Sequence, residues 1–209
     1  MPPLVKICGL STPETVDAAI RHGATHIGFV HYEPSPRHVG LQTAADLRRR
    51  ADGRVRTVVL LVNPAPAIIG AVWDQVRPDA IQFHGDEAPD LLAAVKAQTG
   101  AEAWKAVGIR DAAALDRARR YAAVADRLLY DAPAQALPGG TGTRFDWSLL
   151  AGHRHAGDWG VAGGLNPANV AQAIAETGAP LVDVSSGVES APGVKDVDKI
   201  AAFLKAAGR

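Results

Sequence analysis

Leu181-Val-Asp-Val-Ser-Ser-Gly-Val188 is the stretch from which the fold can be read. Its first four residues are apolar β-formers around one acid, too few for a helix and suited to a short buried strand. Ser185-Ser186-Gly187 follows, where a strand would hand over to a helix. Gly187 carries no side chain, so backbone N–H groups there can come close to an anion, with the positive end of the following helix behind them. Earlier in the chain the arrangement recurs: Trp159-Gly-Val-Ala162 reads as a strand, Gly163-Gly164 as the turn and Asn166-Pro167 as a helix opening. One glycine turn after a strand is usually only a turn. Two side by side would cradle a phosphate, and an eight-stranded α/β barrel places such a site after strands 7 and 8.

Working outward, β-like runs alternate with helical spacing along the whole chain. Strands are expected at Leu4–Cys8, His26–Val30, Thr57–Val62, Ala80–His84, Ala103–Val107, Arg127–Tyr130, Gly160–Ala162 and Leu181–Val184. Helices are expected at Pro13–His22, Thr43–Ala51, Ala65–Val76, Ala88–Thr99, Asp111–Val124, Phe145–Leu150, Asn166–Thr177 and Val197–Ala207. Such alternation argues for parallel strands with right-handed crossovers. Eight units suit a single (β/α)8 TIM barrel spanning residues 1–209, with an open doubly wound sheet as the rival. Caps support the segmentation: Ser11 or Thr12 before Pro13, Asn166 before Pro167, and glycines at Gly23, Gly53, Gly100 and Gly178 closing helices.

Composition narrows the function classes. With 209 residues the chain can build a real core, and 47% hydrophobic against 21% charged residues is ordinary for a soluble globular protein. Twenty-two basic residues balance 22 acidic ones, so no polyanion-binding surface is indicated and no nucleic acid is expected. Cys8 is the only cysteine, which rules out an internal disulfide and fits a reducing, cytoplasmic location. The start lacks a secretory signal, and no apolar run nears the roughly 20 residues that span a bilayer, so no membrane partner is expected.

In a barrel, the reactive residues belong where strands end. Cys8 ends strand 1, as a small buried hydrophobe or as a base. Arg37 follows the rigid Ser35-Pro36, as a surface charge or as a placed guanidinium suited to gripping a carboxylate bidentately. His84 ends strand 4 and reads as a hydrogen-bonded pocket histidine, not a metal ligand. Asp131 closes strand 6, as a helix-cap acceptor or as an acid whose proton a dry pocket would retain. Gly139-Gly-Thr-Gly142, Gly163-Gly164 and Ser185-Ser186-Gly187 supply glycine loops, and Asp183 lies within strand 8. The histidines lack metal-ligand spacing, His153 and His155 read as loop residues, and Phe145-Asp146-Trp147 reads as a cap that packs helix 6.

The ordered set Lys6-Ile-Cys-Gly9, Gly28-Phe29, Ser35-Pro-Arg37, Gln82-Phe-His-Gly-Asp-Glu87, Asp131, Gly139-Gly-Thr-Gly142, Phe145-Asp-Trp147, Ala162-Gly-Gly-Leu-Asn-Pro167 and Val182-Asp-Val-Ser-Ser-Gly-Val-Glu189 resembles the phosphoribosylanthranilate isomerases of tryptophan biosynthesis. Pro192-Gly193, Lys195-Asp196 and Ile200 extend the resemblance end to end. His31-Tyr32 departs from it, where the family more often keeps an apolar residue, and touches strand packing or pocket shape.

The resemblance implies an Amadori rearrangement of a small phosphorylated aminosugar, without metal or organic cofactor. It makes Asp131 the acid that protonates the furanose oxygen and Cys8 the base that removes the C2 proton. Because only the ionised sulfur is a base, its surroundings are expected to favour the thiolate. Arg37 would hold the anthranilate carboxylate, with His84 and Asp183 lining the substrate site. N–H groups around Gly142, Gly163, Gly164, Ser185, Ser186 and Gly187 would hold the phosphate. A monomer and a homodimer are both compatible. The rivals are the histidine-pathway aminoaldose isomerase, whose relatives carry an acid where this chain has Cys8, and a non-catalytic phosphometabolite-binding barrel.

Overall fold

Strands form where apolar β-formers run unbroken, and helices where alanine-rich segments follow a cap. In the computed structural model, which describes residues 2–133, 145–150, 152–155 and 157–209, these are β1 (Leu4–Cys8), α1 (Pro13–Arg21), β2 (His26–Val30), α2 (Leu41–Ala51), β3 (Arg56–Leu61), α3 (Pro66–Val76), β4 (Ala80–Phe83) and α4 (Pro89–Thr99). They continue with β5 (Glu102–Gly108), α5 (Ala112–Ala118), β6 (Arg127–Asp131), β7 (Asp158–Val161), α6 (Val170–Thr177), β8 (Leu181–Val184), β9 (Glu189–Ala191), β10 (Val194–Lys195) and α7 (Val197–Ala206). Strands β1 to β8 lie side by side in chain order, and β8 returns to pair with β1 in parallel, Leu4 facing Leu181 and Lys6 facing Asp183. The sheet is therefore a closed barrel, which excludes the open doubly wound alternative.

Caps do local work. The Thr12 hydroxyl accepts from the Thr15 N–H ahead of a first turn that opens with Pro13. Asp111 and Asp196 cap α5 and α7 in the same way, while Gly100 and Gly178 end α4 and α6 in the left-handed region.

Side chains alternate along each strand, so residues two apart share a face. Outward residues such as Val5, Ile7, Ile27, Phe29, Val59 and Phe83 build the large core between barrel and helices. Inward residues form layers. Leu4, Val58, Ala80, Trp104, Leu129 and Leu181 make an apolar floor, and Cys8, Val30 and Leu60 an upper patch. Lys6 lies between Leu4 and Cys8 on β1, Gln82 beyond Ala80 on β4 and Asp183 beyond Leu181 on β8. A polar layer thus separates the floor from the mouth.

Several segments differ from the sequence expectation, each for a local reason. Helix α6 starts at Val170, not Asn166, because the Asn166 side chain accepts from the Ala168 N–H while its own N–H goes to Asn169 Oδ1, making a turn. The helix expected over Asp111–Val124 is α5 followed by a 3₁₀ turn at Arg119–Tyr121, and Phe145–Leu150 reduces to a 3₁₀ turn at Trp147–Leu150. No long helix follows Ser185-Ser186-Gly187 directly. A three-residue 3₁₀ turn, Ser186–Val188, leads into the antiparallel β9–β10 hairpin, and α7 begins only at Val197.

At the start of β2, His26 is sealed against Trp104 with ring centroids 5.2 Å apart. Burial first, then Arg127 and Arg56, push its pKa down to about 3. The unfolded chain therefore binds a proton near pH 6.5 that the folded one refuses. Stability from neutral His26 is present above about pH 6.5 and is lost as pH falls toward about 3. Replacing His26 with Gln should flatten the fall in urea-unfolding free energy across that window; an unchanged slope would assign it to other groups.

Candidate active site

The ends of β1, β4, β6, β7 and β8 converge on one open cavity of about 610 Å³, its mouth included. Cys8, Arg37, His84, Asp131, Asp183, Gly163, Gly164, Ser185 and Ser186 all line it. Tyr32, Val62 and Leu165 add an apolar wall, so Tyr32, the departure noted from the sequence, shapes the pocket, whereas His31 Nδ1 is spent on the Val39 carbonyl at 2.9 Å.

Asp131 is buried at the end of β6. Its Oδ1 accepts from the Ala132 N–H at 2.7 Å, and its Oδ2 lies 3.0 Å from His84 Nε2. His84 is thus a pocket histidine beside the candidate acid. Its Nδ1 lies 3.5 Å from the Gln82 amide nitrogen.

Beneath Cys8, the Lys6 side chain is completely buried. Its ammonium donates to Asp183 Oδ2 at 2.8 Å and to Gln82 Oε1 at 2.9 Å, and the neighbouring Cys8 sulfur interacts with its charge. Burial pulls the Lys6 pKa down, but Asp183 and Cys8 outweigh it and hold it above its ordinary value, so Lys6 stays charged. Burial pushes the Cys8 thiol up, and Asp183 adds to this while Lys6 only partly offsets it. The expectation of surroundings that favour the thiolate is therefore corrected: desolvation outweighs the nearby cations and favours the thiol form. Asp183 is raised as well, again by burial ahead of the opposing Lys6. Two acids compete for one ammonium.

Arg37 is held by the protein itself. Its Nε and NH2 donate to the two oxygens of Glu189, both at 2.8 Å. Lys195 donates to Glu189 Oε1 at 2.6 Å and to Ser185 O and Oγ at 2.9 and 3.1 Å. Burial would raise the Glu189 carboxyl, but Arg37 and Lys195 hold it below the usual range. One edge of the guanidinium is thus committed to an internal carboxylate, and the arginine is oriented by the β9–β10 hairpin.

The turns after β7 and β8 pack against each other. A Cβ on Gly187 would come within 1.9 Å of the Leu165 carbonyl oxygen, and one on Gly163 within 2.4 Å of the Ala132 nitrogen and 2.6 Å of Asp131 Oδ1. Gly163 and Gly164 sit at φ +78° and +66°, which a side chain rarely tolerates. The two glycine turns are therefore adjacent, as expected, and the first abuts Asp131. Gly142, with the rest of Gly139-Gly-Thr-Gly142, lies outside the described residues. Among the described residues no group of three His, Cys, Asp or Glu side chains could hold a metal ion, and no helix is long and apolar enough to cross a membrane.

Sequence reasoning gave no role to Lys6, Gln82, Glu189 or Lys195. The period of two along β1 was available, since it puts Lys6 on the same face as Cys8. The carboxylate that claims Arg37 lies 152 residues away and has no local signature.

The N-(5'-phosphoribosyl)anthranilate isomerase family matches residues 5–206. An N-(5'-phosphoribosyl)anthranilate isomerase from Erythrobacter litoralis is 56% identical over 98% of each chain, and one from Paramagnetospirillum magneticum is 49% identical over 99% of this chain and 98% of its own. The crystal structure of the Thermotoga maritima phosphoribosylanthranilate isomerase superposes with a TM-score of 0.90 at 35% identity, covering 99% of this chain and 98% of that one. Another phosphoribosylanthranilate isomerase, crystallised with reduced 1-(o-carboxyphenylamino)-1-deoxyribulose 5-phosphate, gives 0.87 at 34% identity with the same coverage.

The packing of the two turns yields a prediction. Gly187→Ala must move backbone and should cost about 1–3 kcal/mol or more in urea unfolding. Gly53→Ala, at φ +68° with nothing within 4 Å, meets only backbone strain of about 1 kcal/mol. Equal losses at the two sites would show that the turns do not depend on each other.

Proposed function

The chain belongs to the N-(5'-phosphoribosyl)anthranilate isomerase family, and from that premise we propose how its pocket turns N-(5'-phosphoribosyl)anthranilate into 1-(2-carboxyphenylamino)-1-deoxyribulose 5-phosphate. The reaction is an aldose-to-ketose isomerisation of tryptophan biosynthesis. The observation that carries the reading of the site is the single cavity shared by Cys8, Asp131 and the adjoining glycine turns.

The substrate offers a phosphate, a sugar ring and an aromatic carboxylate. The phosphate lies against the N–H groups of the Gly163-Gly164 and Ser185–Gly187 turns. Anchoring it there fixes the ring between β1 and β6, a positional gain that lowers the barrier. The anthranilate ring lies along Tyr32, Val62 and Leu60, with its carboxylate toward the cationic end of Arg37, oriented by Glu189.

Asp131 then protonates the furanose oxygen, the C1–O bond opens, and an imine forms between C1 and nitrogen. Cys8 removes the proton from C2, and the electrons flow into the imine to give an enolamine. Loss of the enol proton and protonation at C1 leave the ketone. Each transfer is general acid–base chemistry, typically contributing about 10²–10⁴-fold.

The test is to generate phosphoribosylanthranilate in situ and follow the decay of its fluorescence with and without the protein; decay at the spontaneous rate would reject the activity. Cys8→Ala should lower turnover by at least about 10²-fold, and wild-type turnover in that variant would remove Cys8 from the mechanism. Asp131→Asn should stop ring opening while a reduced product analogue still binds; collapse of binding as well would make Asp131 structural. Ser186→Ala should weaken binding only modestly, because the backbone is assigned the phosphate, and complete loss would transfer that role to the hydroxyl.

A further inference from the structure

A base has to be unprotonated, yet the pocket keeps the proton on Cys8. Moving that proton to bulk water would leave a net negative charge in a buried layer of the barrel, where unpaired charge is costly. The neighbourhood holds a better destination. Lys6 and Asp183 face each other in register across the β1–β8 seam, and Cys8 stands two residues beyond Lys6 on the same face. The ammonium has three protons and accepts nothing; it donates to Asp183 Oδ2 and Gln82 Oε1, and the Cys8 sulfur lies beside the same lysine across Gly28. The other oxygen of that carboxyl, Asp183 Oδ1, is buried and has no hydrogen-bond partner among the described residues.

We propose that Asp183 is the proton partner of Cys8: when the sulfur becomes the base, its proton resides on Asp183, and the Lys6 ammonium is the fixed counter-charge shared by thiolate and carboxylate. This rests on the reading of Cys8 as the base. In the transfer the S–H bond breaks and an O–H bond forms on the Asp183 carboxyl, with the unpartnered Oδ1 as its seat. The three groups sum to zero charge before and after, so no charge has to enter or leave the interior. Abstraction of the C2 proton then restores the thiol, and the extra proton now held by the pair equals the one Asp131 gave to the ring oxygen. Proton count closes over one turnover.

The remaining charged groups facing the trio do not displace Lys6 from this role. Lys195 acts on Cys8 from the β10 side but is engaged by Glu189, and Asp131 and His84 act on Asp183 from across the cavity. On the β2 side stands Gly28, where a Cβ would fall 2.9 Å from the sulfur and 3.1 Å from Lys6 Cε. A side chain there would wedge against both members of the contact. Asp183 is accordingly a positioning residue that acts through Cys8.

Because Cys8 is the only cysteine, thiolate absorbance and the rate of alkylation by iodoacetamide report on it alone. In Asp183→Asn the ammonium has only the sulfur left to neutralise. Thiolate at neutral pH should therefore increase and alkylation should accelerate about tenfold, one pKa unit's worth, while turnover falls by about 10²-fold. Lys6→Met should slow alkylation. A merely structural role for Asp183 does not predict a more reactive thiol in a less active enzyme. Alkylation that is unchanged or slower in Asp183→Asn overturns the proposal, and Asp183→Ser gives the same readout where the asparagine variant does not fold. Alkylation is read without turnover, so failure of the base assignment, seen as full activity in Cys8→Ala, remains distinguishable.

Discussion

A lysine with no solvent exposure sits in the middle of the barrel, and the layout of the pocket follows from how it is satisfied. Burying an ammonium is tolerable only with close, well-directed acceptors. Lys6 finds them in Asp183 and Gln82, at 2.8 and 2.9 Å. Asp183 lies on the strand that closes the barrel against β1, so the ion pair forms only when the seam is in register. A shift of one residue along β8 would turn Asp183 toward the helices and leave Lys6 without its counter-ion. The same contact that specifies closure also supports the Cys8 sulfur directly above it.

A second carboxylate organises the rim. Glu189 accepts from Arg37 and Lys195, Lys195 reaches back to Ser185, and the Ser185 hydroxyl donates to the Cys8 carbonyl at 3.1 Å. The arginine after β2, the turn after β8 and the end of β1 are thereby linked through Glu189 and Lys195, whose side chains are almost wholly buried. A Cβ on Gly193 would come within 2.3 Å of the Pro36 carbonyl oxygen, so the β9–β10 hairpin lies directly on the arginine loop. This explains why a hairpin stands where a helix was expected. A helix starting at Ser186 could not return Glu189 and Lys195 to the same guanidinium and hydroxyl. It also shifts the origin of anion affinity in the proposed phosphate cradle, because a three-residue turn has almost no dipole. The cradle instead depends on glycine backbones pressed close enough to expose their N–H groups.

What was legible in the sequence follows the range of the forces involved. Leu4–Cys8, His26–Val30 and Leu181–Val184 are strands with the bounds expected, because unbroken apolar runs between polar punctuation are a local signal. The clustering of Cys8, Arg37, His84, Asp131 and Asp183 was legible too, since a barrel gathers strand ends on one face. The start of α6 was not, because two asparagine side chains take up N–H groups that a helix would otherwise use. The state of Cys8 was misread for a different reason. Its charge partner could be guessed from the neighbouring sequence, but the depth of its burial is a property of the closed barrel, and burial is the larger effect.

Gln82 connects the two halves of the chemistry, and its orientation follows from its neighbour. An ammonium can only donate, so the amide atom 2.9 Å from Lys6 must be oxygen. The amide nitrogen is then the atom facing His84 Nδ1, at 3.5 Å, and a donor there favours an unprotonated Nδ1. An imidazole that accepts at Nδ1 carries its hydrogen on Nε2, the atom 3.0 Å from Asp131. The direction of donation is thus set from the Cys8 side of the pocket toward the Asp131 side. With Nε2–H on one oxygen of the Asp131 carboxyl and the Ala132 N–H on the other, each oxygen of the proposed acid already has one partner from the protein. One buried cation, through one amide, therefore bears on both the Cys8 sulfur and the carboxyl proposed as the acid.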